Sequence, residues 1–123
     1  MEIPVPLGDV VDKITILRLK VARLERPEAR AAAVAELEAL QARWTGAGHP
    51  PLESFAELQS VNERLWEVED QLRRHEADRD FGPKFIARAR SVYLLNDQRA
   101  ALKRAINDAL GSELIEQKHY VDY

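Results

Sequence analysis

The sequence contains no cysteine. That removes disulfides, thiolate metal ligands and a cysteine nucleophile together, and it fits a reducing, cytoplasmic setting. Histidine is scarce: His49, His75 and His119 are the three in the chain, and no two stand at the i, i+4 spacing of a helical metal site. No carboxylate cluster has ligand spacing, and no glycine-rich phosphate loop occurs. Neither a metal nor an organic cofactor is therefore expected, and no Ser–His–acid set can be assembled. Basic charge is not in excess either. The net charge is −3, with acids and bases interspersed, which argues against a nucleic-acid binder, since that needs a basic face to displace counterions. No apolar run approaches the ~20 residues of a membrane span. The opening MEIPVPL lacks the basic and apolar regions of a secretory signal, so no membrane role is expected.

What is present is a chain of 123 residues, 46% hydrophobic and 32% charged. This suits one domain, residues 1–123, that buries roughly two-thirds of its unfolded surface. Its apolar spacing is helical almost throughout. Residues 1–7 are the exception: they alternate, but Pro4 and Pro6 remove two amide donors, so a short extended arm is expected. Helix one should begin near Gly8 or Asp9, with Asp9 as N-cap. Val10, Ile14, Leu17, Val21 and Leu24 form one stripe. Ile16 and Leu19 form a second on another side, in line with Asp12 and Arg23. A helix apolar on two sides is a central one. Asp9, Lys13 and Lys20 share a face between the stripes, where the lysines either snorkel to water, with Asp9 and Lys13 as an ordinary surface pair, or join a polar cluster.

Arg26-Pro27 breaks the chain, and Glu28–Trp44 reads as a covering helix with Val34, Leu37, Leu40 and Trp44 inward. Thr45–Pro51 is a loop. Ser54 and Glu57 have the spacing of a capping box. Leu58, Val61, Leu65, Val68 and Leu72 then keep a coiled-coil heptad register, which His75 ends as a packing histidine. Asn62, Trp66 and Glu69 flank the seam, while Glu63, Glu67 and Asp70 lie on a solvated face. Asp80–Pro83 (DFGP) is a turn, with Gly82 expected at positive φ and Pro83 in the next first turn. The same tripeptide occurs in protein kinases, but no other kinase signature accompanies it. Helix four should run about 27 residues, roughly 40 Å, to Leu110, with Gly111 as C-cap. Residues 111–123 form a tail with one short helix, whose Tyr120 and Tyr123 dock on the fold or a partner. The expected architecture is an all-α antiparallel bundle of about four helices, the last two forming a long hairpin. Its heptad seams favour a homodimer.

Ser91–Asn107 (SVYLLNDQRAALKRAIN) holds the oddest feature. Val92, Leu95, Leu102 and Ile106 form a packing seam, but its middle position is Arg99, with Asn96, Lys103 and Asn107 within about 60° on the same side. A charge there must find partners or water, since an unpaired buried guanidinium costs several kcal/mol. Glu69, about 40° off the seam of helix three, is the first candidate partner, and Asp12 the second.

Together, Gly8–Leu17 (GDVVDKITIL), Asp80–Pro83, Ser91–Asn107 and Gly111–Lys118 (GSELIEQK) resemble a family of short bacterial proteins catalogued as domain of unknown function 6165. The resemblance covers nearly the whole chain. It implies a stand-alone, mostly helical bacterial protein and no particular activity. Asp12, Lys13, Arg99 and Lys103 match the family pattern, whereas Asp9 and Arg18 depart from it.

Arg99, Lys103, Asn96, Asn107, Lys13, Lys20, Asp12, Glu69 and Asn62 thus form the candidate polar set. It can act as a structural core in which asparagines fix helix register, as a site for a carboxylate or phosphate metabolite, or as a partner-protein surface. The second arrangement is similar in class to small all-helical chorismate mutases, with which no motif aligns. The leading expectation is a dimeric interaction or accessory protein; the alternative is a small enzyme or sensor for an anionic metabolite.

Overall fold

In a computed structural model, which describes residues 6–48 and 53–110, the apolar stripes wind into four helices with no strand among the described residues. These are α1 (Leu7–Arg23), α2 (Pro27–Gly46), α3 (Glu53–Asp78) and α4 (Pro83–Ala109). Long α3 and α4 run antiparallel as a hairpin, α1 packs on all three other helices, and α2 lies chiefly against α1. The expected central role of α1 follows from its burial on several sides: Val11, Ile14, Leu17 and Leu19 are all inside.

Two apolar clusters hold the hairpin. Val11, Leu58 and Ile106 join α1, α3 and α4, with Trp44 edge-on to Phe55 closing the end. Val61, Leu65 and Leu95 continue between α3 and α4 alone, flanked by Val68 and Val92. The heptad positions Leu58, Val61 and Leu65 are buried, whereas Val68 and Leu72, further along, are only half-buried. The cause is length. At about 1.5 Å per residue, the 17 residues of α1 cannot cover the 26 of α3.

Several boundaries differ from those expected. Leu7 already belongs to α1, and Pro6 occupies the N-cap position with φ −55° and ψ 141°. Leu7 thus leaves the expected arm, whose residues 1–5 lie outside the described residues, and Asp9 is a first-turn residue rather than the cap. Proline suits this boundary because its φ is pre-set and the position needs no donor. Pro27 and Pro83 start α2 and α4 as expected. Gly82, however, has φ −74°. The left-handed residue of that turn is Arg79, at φ 53°. It closes α3 with the paired bonds of a Schellman cap, Arg79 N to Glu76 O and Asp80 N to His75 O. His49, Gly111 and the tail with its short helix and tyrosines lie outside the described residues.

Candidate functional site

The N-terminal half of α1 lies along α4 through three polar contacts. Arg99, Lys103 and Asn107 are spaced by one helical step of four and so share a face of α4. Each meets a residue of α1. Arg99 donates from Nε to Asp12 Oδ1 at 2.9 Å and from Nη2 to Oδ2 at 2.5 Å. Lys103 Nζ lies 2.7 Å from Asp9 Oδ1. Asn107 Oδ1 accepts the Gly8 amide at 2.6 Å. That amide belongs to the first turn of α1 and has no intrahelical acceptor, so α4 supplies the cap that Pro6 cannot.

Gly8 permits this approach. A Cβ there would stand 2.9 Å from Asn107 Oδ1 and closer still to the Lys103 carbonyl oxygen. The backbones meet because there is no side chain between them.

Asp12 is the hub. It is only 5% exposed, yet it receives both Arg99 bonds and a third from Asn62 Nδ2 at 2.9 Å. Asn62 Nδ2 also reaches Thr15 Oγ1 at 2.7 Å, and Thr15 donates in turn to the Asp12 carbonyl oxygen. Burial pushes the Asp12 carboxyl up. The hydrogen bonds from Arg99 and Asn62, with the charges of Arg99 and Lys103, outweigh that and hold it below its ordinary value. The Arg99 guanidinium is shifted up, chiefly by its bond to Asp12, against its own burial. A carboxylate with three donors, two of them from one arginine, is an ion pair held by geometry as well as charge.

The nine candidate residues thus separate. Asp12, Asn62 and Arg99 form one network, with Lys103 and Asn107 beside it on α4. Glu69 is exposed on α3 and acts on Arg99 through its charge alone, so the first candidate partner yields to the second. Lys13 turns the other way and pairs with Glu36 of α2 at 2.8 Å, and the exposed Lys20 also faces that carboxylate. Asn96 is exposed on α4. Asp9 pairs with Lys103 rather than with Lys13. Thr15 and Gly8 join the site from outside the candidate set. Thr15 sits one turn after Asp12, where a hydroxyl can bond back to the preceding turn, a local signal that pointed to it. No sequence signal revealed Gly8's contact, because the contact belongs to another helix.

Elsewhere, Glu63 and Glu67 are exposed as expected but brace Arg23 at the far end of α1, at 3.1 and 3.4 Å. Buried His75 packs edge-on against Phe85. Its Nε2 accepts from Arg88 at 2.7 Å, so Nδ1 carries the proton and donates to the Asp80 carbonyl at 2.9 Å. Among the described residues no group of three or more His, Asp or Glu side chains could hold a metal ion. No described helix is long and apolar enough to cross a membrane.

A central helix clasped to a long helical hairpin by an ion pair whose carboxylate is buried defines an all-helical bundle protein. The chain belongs to the family of unknown function DUF6165, whose pattern it matches over residues 1–122. No curated protein and no solved structure matches it significantly.

Proposed function

We propose that the chain is an interaction protein, working as a homodimer, in which the Asp12–Arg99 network seats α1 and so holds the hairpin in shape for its partner. One observation carries the reading: the cations best placed to receive an anion are already occupied. Arg99 gives two donors to Asp12, and Lys103 is bound to Asp9. A carboxylate or phosphate metabolite would have to displace a buried carboxylate, leaving Asp12 without its counter-ion at a cost of several kcal/mol. The network is instead built like a core that sets helix register, with the Asp12 carboxylate, the Asn62 amide nitrogen and the Thr15 hydroxyl each given a partner from another turn or helix. A bacterial, cytoplasmic setting belongs to the same reading, from the family resemblance and the lack of cysteine.

Thermal unfolding in the presence of inorganic phosphate, citrate and a panel of anionic metabolites tests it. The expected result is no specific rise in midpoint for the wild-type chain, and a clear loss of stability in Arg99→Ala. A ligand that raises the midpoint by mass action, with the rise abolished in Arg99→Ala, would transfer the cluster to a binding role.

A further inference from the structure

The face of α4 that looks away from α1 carries apolar residues that the described part of the chain leaves about half open to water. Ile86, Tyr93 and Leu94 are 54, 52 and 52% exposed, among the large apolar side chains left most open to water. They are not scattered. Counting about 100° per residue, all three lie within roughly 100° of one another, on a stripe that also holds Arg90, Asp97 and Ala101. Leu94 stands about 140° from Arg99 on the same count, so α1 cannot reach it. Leu94 also borders a shallow cavity of about 420 Å³ with Val68 and Leu95. A neighbouring cavity of about 430 Å³, lined by Val61, Ala101 and Leu102, extends the apolar floor along the hairpin.

The charges in the stripe identify its occupant. Arg90 and Asp97 are exposed, and neither has an ion-pair partner among the described residues. Reading α4 outward in both directions from the point between Tyr93 and Leu94, the order of side chains is its own complement. Tyr93 mirrors Leu94, Arg90 mirrors Asp97, Ala87 mirrors Ala100, and Ile86 mirrors Ala101. An antiparallel second α4 about a two-fold axis at that point would set each of these apolar residues against an apolar one. It would also set each arginine against an aspartate, twice, about 5 Å along the helix from the axis. The alanines leave room for the helices to close to the usual 8–10 Å. A different partner would have to supply the same sequence of acid, base and apolar groups in reverse; a second copy supplies it by symmetry.

We infer that α4 pairs with α4 of a second copy through Ile86, Tyr93 and Leu94, with Arg90 and Asp97 bridging the two chains. This rests on the dimeric reading above and names its interface. It also accounts for the length of the hairpin beyond the reach of α1: the uncovered stretch is the part the second copy covers.

Light scattering coupled to size-exclusion chromatography, and sedimentation equilibrium, on the full chain test the pairing with Arg90→Asp, Asp97→Arg and the double exchange. Both positions are exposed, and a circular-dichroism melt like that of the wild type certifies that each variant folds. The wild type should be a dimer. Each single reversal sets like charges together at two symmetric points and should weaken dimerisation about tenfold or more. The double exchange restores opposite charges and should bring the dissociation constant back to within a few-fold. A wild-type dimer indifferent to the single reversals, or unrestored by the double exchange, keeps the dimeric reading and overturns this interface. A wild type that stays monomeric at high concentration overturns both, and leaves the stripe to a partner of another sequence.

Discussion

Arg99 of α4 and Asp12 of α1, 87 residues apart in the chain, meet in a two-pronged ion pair with the aspartate almost wholly buried. Around it the first half of α1 is set in register with α4: Gly8 on Asn107, Asp9 on Lys103, Asp12 on Arg99. The register, rather than any single bond, is the product of this arrangement.

Cutting the pair from one side should cost more than removing it whole. Arg99→Ala leaves the Asp12 carboxylate buried with only Asn62 as donor, and a loss of about 2–4 kcal/mol is expected in urea unfolding. Asp12→Leu combined with Arg99→Leu should recover part of that loss, because no charge is then stranded. Equal losses in the single and double variants would mean that the pair does not couple the helices.

Acid should loosen the same contact. Asp12 titrates below its ordinary value in the folded chain, so the folded state binds fewer protons than the unfolded one as pH falls through the carboxylate range. The stabilisation is complete above the unfolded value of about 3.9 and is lost as pH drops through the lower, folded value. Urea midpoints measured from pH 7 down to pH 3 should fall less steeply in Asp12→Asn than in the wild type. Parallel curves would assign the acid sensitivity to other carboxylates.

Gly8→Ala reverses the usual rule for helices. In a free helix alanine is better than glycine by about 1 kcal/mol. Here the added methyl would run into the Lys103 carbonyl and the Asn107 side chain, so the variant should be destabilised by about 1–3 kcal/mol. A more stable Gly8→Ala would show that α1 can move off α4 without penalty.

Arg79→Gly should do the opposite. Arg79 holds a left-handed conformation at φ 53° in the hairpin turn, which an L side chain adopts at a cost and glycine adopts freely. Its side chain has no bonded partner among the described residues, so a gain of about 0.5–1 kcal/mol and a thermal midpoint a few degrees higher are expected. The turn sequence Asp80–Pro83 points to Gly82 as the left-handed residue of this turn, yet the chain reverses three residues earlier, at Arg79. The α3 cap forms where the helix hydrogen bonds run out, and Pro83 lets Gly82 sit extended before α4.

The candidate site was half legible for a comparable reason. Periodicity reports which way a residue faces on its own helix, so it exposed Arg99 as a charge in an apolar seam and grouped Lys103 and Asn107 with it. It does not report how helices slide and rotate against one another. Glu69 and Asp12 both lay at a reachable angle, and the choice between them depended on how deep α1 sits. Lys13 and Lys20 shared a face with Asp9, but α2 crosses α1 on the lysine side and draws Lys13 to Glu36.

The four helices, the long hairpin and the central place of α1 can be read from the chain alone. These follow from apolar spacing, proline breaks and the scarcity of glycine, all of which act within a few residues. That Asp12, not Glu69, takes Arg99, and that Gly8 lets α1 close on α4, came from the packing of the helices. Those outcomes depend on the offset between helices far apart in the chain, which packing and a buried charge set together and no local pattern encodes.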